Sequence, residues 1–292
     1  MLRDPLTLCY DRLRMIESPS PRSPTRADRL AFFMLRSVNK AVRDHAMIAD
    51  GDRVLVAVSG GKDSLTLLDL LHRRQRTAPE RYDLIAGRVR SDLSCGPCVP
   101  EEWLQAWCAA RGIPFVSSAI HVADAVSAVT GPNGAGVCHL CARRRRKAIL
   151  ELAQEHSCGK VALGHHADDR AVTALMNLLY NARLETMAPA LPLFGGLFTL
   201  IRPLAYVEER DIVTYARASG YPIAGDPCPL GERSRRSATR LLLREIESEH
   251  PTAKRCILSA VERCAASTGA VHGGQDSSRT RSHLEEDNCA GY

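Results

Sequence analysis

Three short segments of this chain combine residue types and spacings that could do chemistry. Ser59-Gly60-Gly61-Lys62-Asp63-Ser64 joins two glycines to two hydroxyls, an amine and a carboxylate. Glycines let a backbone approach an anion with no Cβ in the way, and hydroxyls and main-chain amides donate hydrogen bonds to phosphate oxygens. Cys138-His139-Leu140-Cys141 sets two thiols at i and i+3, which brings both onto one face of a helical turn where they can share a metal centre. Gly164-His165-His166-Ala167-Asp168-Asp169 offers imidazoles and carboxylates, although His165, His166 and Asp169 taken singly are as readily structural. A third thiol, Cys228, stands between Pro227 and Pro229, which would hold it rigidly in a loop. Three thiolates leave a tetrahedral or cluster site one ligand short, and an open position is how a metal site does chemistry rather than only holding structure.

The surrounding composition decides how to read those thiols. With 292 residues, 45% apolar and 25% charged, the chain has the make-up of a soluble globular protein with a sizeable core. Its longest apolar runs fall short of the roughly 20 residues a membrane-spanning helix requires. Met1 to Tyr10, charged at Arg3 and Asp4, has no signal-peptide profile, so a cytoplasmic location without a membrane partner is expected. A reducing cytosol does not favour disulfides, and eleven cysteines cannot all pair. Cys9, Cys108, Cys158, Cys256, Cys264 and Cys289 have no motif context and read as small apolar residues or tail thiols. Cys95-Gly96-Pro97-Cys98 allows a rival reading, a zinc site shared with Cys138 and Cys141. The 39 residues between Cys98 and Cys138 make that spacing wide, and the site would leave Cys228 unexplained.

Charge points to a partner. The net +6 is modest, but Arg143, Arg144, Arg145, Arg146 and Lys147 form an unbroken basic run, and Arg233, Arg235, Arg236, Arg240 and Arg244 form a second. Either alone reads as a solvated helix face. Two such runs, each just after a cysteine motif, favour a polyanion.

The elements that must position these groups follow from periodicity. Leu30 to Ala46 has helical spacing, and Arg53 to Val58 reads as a buried strand that runs straight into the glycine loop and then into a leucine-rich helix from Leu65. Further expected elements are an apolar strand near Tyr82 to Val89, a helix from Glu101 to Arg111, a strand around Ile113 to Ser117, a helix from Leu140 to His156 and a strand from Lys160 to Leu163. Strand and helix in alternation imply an α/β fold, a Rossmann-like, doubly wound parallel sheet. The Pro/Ser-rich residues 1–28 are expected to form a flexible leader, 29–264 the working body and 265–292 a flexible tail, beyond a helix that carries Ile257, Leu258 and Val261.

The glycine loop is neither a Walker A loop nor a Gly-x-Gly-x-x-Gly dinucleotide fingerprint. Ser59 to Ser64 instead resembles the SGGxDS pyrophosphate loop of the PP-loop ATPases, the adenine nucleotide α-hydrolase-like enzymes that cleave ATP between its α and β phosphates and adenylate a carbonyl oxygen. The resemblance implies that Ser59, Gly60, Gly61, Lys62, Asp63 and Ser64 hold the pyrophosphate, with Asp63 also helping to bind Mg²⁺. The order of Cys138-x-x-Cys141 with its basic run, Gly164-His-His-x-Asp-Asp, Ile201-Arg202-Pro203-Leu204 and Pro227-Cys228 is similar to the tRNA 2-thiocytidine synthetase (TtcA) family over roughly Leu30 to Pro251. This second resemblance implies that Cys138, Cys141 and Cys228 bind a [4Fe-4S] cluster with one iron open to carry sulfur, that Gly164 lies near the nucleotide, and that Asp168 serves near the metal or as a proton acceptor. Two departures from the family stand out. Gly231 replaces a second cysteine shortly after the third ligand, and Gly87 to Asp92 lacks the usual Asn-Leu-Asp pattern.

The function these readings imply is ATP-dependent thiolation of a tRNA base, cytidine C2 in the anticodon loop, with Arg143 to Lys147 holding the RNA backbone and a sulfur donor such as a cysteine desulfurase upstream. A homodimer is a further expectation from related thiolases. The alternatives are a lysidine-synthetase-like tRNA-modifying ligase without a cluster, and a nucleotide-binding module whose cysteines hold structural zinc.

Overall fold

The computed structural model describes residues 23–92, 96–122, 137–225 and 234–271, without the side chains of 137–139 and 268–271. The expected leader up to residue 22, the tail from residue 272, Cys95, Cys228 and Arg233 lie outside the described residues.

Strand β1 (Arg53–Ala57) is the centre of a six-stranded sheet. Its Val54, Leu55 and Val56 are fully buried, and they alternate between two cores because successive side chains point to opposite faces. Each such buried aliphatic contributes roughly 1.5 to 3 kcal/mol relative to exposure. Around β1 stand β2 (Asp83–Ser91), β3 (Phe115–Ile120), β4 (Lys160–Ala162), β5 (Ala190–Leu193) and β6 (Phe198–Ile201) in the order β3-β2-β1-β4-β6-β5. Only β5 runs antiparallel, paired with β6 at the edge, where its Pro192 is tolerated.

Helices cover both faces. On one side, α1 (Arg26–Asp44), α2 (Lys62–Arg74) and α3 (Glu101–Ala109) pack against Val54 and Val56. On the other, α4 (Val137–Glu155) lays Ile149, Leu152 and Ala153 against Leu55. Beyond the sheet, α5 (Ala167–Asn181) packs its Ala171 and Val172 against Leu243 of α7 (Arg235–Glu249) and Ile257 of α8 (Ala253–Val271). Helix α6 (Glu209–Ala218) joins the first core through Ile212 and Tyr215. Among the described residues no helix is long and apolar enough to cross a membrane.

The doubly wound sheet is as expected, and the boundaries shift for local reasons. Helix α1 begins at Arg26 rather than Leu30, because Thr25 caps it: its hydroxyl accepts from Asp28 N at 3.1 Å while the Asp28 carboxylate accepts from Thr25 N at 2.9 Å. The strand expected around Ile113 to Ser117 starts only at Phe115, since Ile113 N is engaged in closing α3 on the Cys108 carbonyl. Helix α8 runs on to Val271, past residue 264 where the body was expected to end.

The sheet order reverses between β1 and β4. The chain winds outward through β2 and β3, then returns to lay β4 on the other side of β1. The loops leaving the carboxyl ends of β1 and β4 therefore diverge and leave a crevice, the usual ligand position in such sheets.

Candidate active site

The loop after β1 makes one wall of that crevice. Gly60 adopts φ +89°, and a Cβ there would come within 3.0 Å of Cys98 Cβ and 3.3 Å of Val99 N. Only glycine fits, and the segment Pro97–Val99 closes over it, with Val99 N donating to the Gly60 carbonyl at 3.0 Å. Gly61 is the N-cap of α2. The Ser59 hydroxyl accepts from Gly61 N at 3.3 Å and lies 3.1 Å from the Ser64 hydroxyl, which also donates to the Gly61 carbonyl at 3.0 Å. Two hydroxyls and the unpaired amides of a helix N-terminus thus converge on one point, an arrangement that attracts anions.

The loop after β4 makes the facing wall. A Cβ on Gly164 would sit 3.1 Å from Ser64 N and 3.2 Å from the Asp63 carbonyl carbon, so this glycine lets the start of α5 lie against the start of α2. Between the two helix starts His166, 2% exposed, is ringed by carboxylates. Its Nε2 lies 3.2 Å from Asp169 and 3.8 Å from Asp63, and its Nδ1 lies 3.5 Å from Asp168. Burial alone would drive the proton off, but Asp168, Asp169 and Asp63 outweigh it and hold the His166 pKa above the ordinary histidine value. Burial pushes Asp168 and Asp169 upward, yet His166 with Lys254 for the first, and His166 with Arg236 for the second, hold both well below the usual carboxylate range.

These carboxylates face different ways. Asp168 accepts from Glu209 N at 2.7 Å and is ion-paired with Lys254 at 2.5 Å. Asp169 faces the crevice and is paired with Arg236 at 2.8 Å and Arg240 at 3.1 Å. The described part of the second basic run divides: Arg236 and Arg240 are half-buried on Asp169, whereas Arg235, over the Tyr180 ring, and Arg244, 3.7 Å from Glu209, remain exposed. Arg236 and Arg240 are thus engaged by a carboxylate 67 and 71 positions away in the chain, while Arg235 and Arg244 keep the exposure expected of a polyanion surface.

Ser59, Asp63, Ser64, Gly164, His165 and Asp169 line a cavity of about 220 Å³. Ala57, Val89 and Ile149 give it an apolar side, and Arg145 and Arg146 a cationic rim. Lys62 is not on this lining; its ammonium is held 2.9 Å from Asp63 and 3.0 Å from Glu209. Burial lowers the Lys62 pKa, but Asp63 and Glu209 more than reverse this and raise it. Arg143, Arg144 and Lys147 are exposed, and Arg144 donates to the His121 carbonyl at 2.5 Å.

Helix α4 connects the cavity to the cysteines. Cys141, Arg145, Ile149 and Leu152 recur at i, i+4, i+8 and i+11, one stripe that passes from a half-buried thiol to the cavity lining and into the core. Position 138 stands one turn earlier in the same unbroken helix. Four residues of helix rise about 6 Å, so the Cys141 turn adjoins the cavity rim. Thiols so spaced are a donor set that suits an iron–sulfur cluster. Cys228 lies outside the described residues, but the chain approaches it from Ala224, which exchanges backbone hydrogen bonds of 2.9 and 3.3 Å with Cys98 beside the glycine loop. Cys98 Sγ itself is 3.7 Å from the Arg88 guanidinium. This closure of Pro97–Val99 over Gly60 had no sequence signal beyond the Cys-Gly-Pro-Cys turn.

A PP-loop domain model matches residues 33–246. A tRNA-cytidine(32) 2-sulfurtransferase of Xanthomonas axonopodis pv. citri is 39% identical over 91% of this chain and 85% of its own length. Another, of Geobacter metallireducens, is 39% identical over 77% of this chain and 86% of its own. The chain belongs to the tRNA-cytidine(32) 2-sulfurtransferase family of PP-loop proteins. The glycine loop lies inside the matched PP-loop domain. The U34-tRNA thiolase NcsA from Methanococcus maripaludis, determined with its [4Fe-4S] cluster, matches with TM-score 0.64 and 25% identity over 82% of this chain and 79% of that one.

Proposed function

We propose that this protein is an ATP-dependent tRNA sulfurtransferase that exchanges the C2 oxygen of a tRNA cytidine for sulfur. The observation that carries this reading is the stripe on α4 that joins Cys141 to Arg145 and Ile149, because it puts a candidate ligand thiol and the cavity beside the glycine loop on one helix.

The chemistry runs in two transfers. The cytidine C2 oxygen attacks the α-phosphorus of ATP, the bond to the β-phosphate oxygen breaks, and pyrophosphate leaves. A carbonyl oxygen is a very poor leaving group; once esterified by AMP it departs readily. Sulfide then adds to C2, the C–O bond breaks, and AMP carries the former base oxygen away, with no net redox change. A [4Fe-4S] cluster on Cys138, Cys141 and Cys228 would hold that sulfide for transfer; if the donor is a cysteine desulfurase, its persulfide sulfur would reach the sulfide level with two electrons from a separate cellular reductant.

The chain's own groups do the binding and positioning. The Gly60 and Gly61 backbone, the Ser59 and Ser64 hydroxyls and the N-terminus of α2 hold the β- and γ-phosphates and stabilise charge as pyrophosphate departs. Asp63 on the cavity wall is the carboxylate we assign to the Mg²⁺ that accompanies ATP. Ala57, Val89 and Ile149 receive the adenine, and Arg145 and Arg146 at the rim meet phosphate of ATP or RNA. We assign Asp168 to anchoring α5 through Lys254 and Glu209, and Asp169 to holding Arg236 and Arg240 at the crevice.

The test is anaerobic reconstitution with iron and sulfide, followed by ATP, sulfide and bulk tRNA, with nucleosides analysed by mass spectrometry. A 2-thiocytidine product that requires ATP is expected. No thionucleoside from protein with its cluster intact overturns the reading, and an active, iron-free protein that joins an amine to cytidine would favour a ligase instead.

A further inference from the structure

A second cavity, about 470 Å³, opens on the outer side of α4 from the nucleotide cavity. Its helical wall includes Arg143, Lys147, Leu150 and Gln154, which recur at i, i+4, i+7 and i+11 and so share one face, and Glu151, an exposed carboxylate 3.5 Å from Lys147. Its other wall is the β5–β6 hairpin, with Phe194 and Leu197 at the tip. Both are large apolar side chains left 66% and 61% exposed. Phe194 holds φ +51°, a left-handed conformation that bulky residues rarely adopt, and Gly195 and Gly196 complete the turn at φ +67° and +98°. The Phe194 ring meets the buried Phe198 ring edge-on, with centroids 6.3 Å apart and planes at 82°. The ring is thereby braced by its neighbour and most of its surface stays in solvent.

Arg146 lines both this cavity and the PP-loop cavity, so the two meet across one side chain. Resting on the sulfurtransferase reading above, we infer that the hairpin tip is a stacking platform for an unpaired nucleotide of the substrate RNA loop, with Arg143, Arg146 and Lys147 holding the adjacent phosphates. Charge complementarity selects the occupant: a flat aromatic beside several cations suits single-stranded nucleic acid, whose bases stack on aromatics while its phosphates pair with Arg and Lys. A neutral apolar partner would offer the cations no phosphate, and an acidic peptide would meet the cations yet offer the exposed Phe194 ring no flat base to stack on. The platform would hold a base neighbouring the target, and so fix the register with which the target enters past Arg146.

The experiment measures binding of a synthetic anticodon stem-loop RNA and of a fully paired RNA duplex to the full chain, alongside F194A and F194W. F194A is expected to bind the stem-loop about tenfold more weakly, with duplex binding, the salt dependence of stem-loop binding, ATP affinity and thermal stability unchanged. F194W is expected to bind like the parent and to lose Trp fluorescence on adding stem-loop but not duplex, a readout that survives should F194A fold poorly. Stem-loop affinity of F194A within twofold of the parent, equal losses for both RNAs, or an F194W emission that ignores the stem-loop would overturn the platform. So would a change in sedimentation of F194A without RNA, which would make the tip a contact between copies of this chain. Parent protein that binds the stem-loop but forms no thionucleoside would count against the sulfurtransferase reading alone.

Discussion

The Cβ that Gly164 lacks would stand 3.1 Å from the backbone nitrogen of Ser64. Two helix starts, α2 and α5, are pressed together at that point, and the amides assigned above to the phosphates of ATP belong to one of them. Adding a methyl group there forces a helix backbone to move by tenths of an ångström, in a packed region with little room to give. Gly164→Ala is expected to weaken ATP binding by about tenfold or more, since binding depends on amide positions at that scale. Titration calorimetry measures it, with Gly159→Ala as the control, because a Cβ at Gly159 meets nothing within 4 Å.

Asp168 and Asp169 are adjacent in sequence and separate in task. Asp168→Asn leaves Lys254, only 11% exposed, with a weakened partner set, and is expected to cost on the order of 2 to 3 kcal/mol of stability. The KM for ATP should stay near the parent value. Denaturant unfolding and steady-state kinetics on the same variant check both halves; a large KM change with unaltered stability would move Asp168 into the nucleotide site.

His166 links stability to pH. Its folded pKa is raised above the ordinary value by the three carboxylates around it, so its protonated form favours the folded state. That contribution is fully present below about pH 6.5, where the unfolded imidazole is also protonated, and fades as pH rises through the folded value. The stability gap between the parent and His166→Asn should therefore be widest near pH 6 and shrink toward pH 9, as measured by thermal unfolding across that range.

The two basic runs should behave differently toward RNA. Arg143 and Lys147 lie exposed on α4, whereas Arg236 and Arg240 are held by Asp169. Arg143→Gln with Lys147→Gln is expected to reduce the slope of log affinity for tRNA against log salt by roughly 0.7 to 0.9 per lost contact. Arg236→Gln should leave that slope unchanged and lower thermal stability instead. Filter binding at several salt concentrations separates the two.

What was legible in the sequence was local. A buried β-branched run, two glycines and a leucine-rich helix are contiguous, so Ser59 to Ser64 could be placed on a strand-loop-helix before any fold was known. The α4 stripe was equally readable, since Cys141, Arg145 and Ile149 need only helical periodicity. The partners of Asp169 were not, because Arg236 and Arg240 stand 67 and 71 positions away and are brought in by the packing of α7 on α5. For the same reason two arginines of a basic run that looks solvent-facing in sequence, Arg236 and Arg240, are engaged by Asp169, and Lys62 in the glycine loop is shared between Asp63 and the distant Glu209. The exposed Phe194 carries no periodic signal at all; a hairpin tip is set by its turn geometry, not by the pattern around it.

The most direct measurement of the central claim runs the complete anaerobic reaction in ¹⁸O-labelled water and weighs the AMP formed. If the base oxygen is adenylated and then displaced by sulfide, the oxygen gained by AMP comes from the tRNA, so AMP appears unlabelled and in equal amount with 2-thiocytidine. AMP that carries ¹⁸O, or that forms without thionucleoside, would mean that water and not sulfide completes the reaction, and would contradict the account.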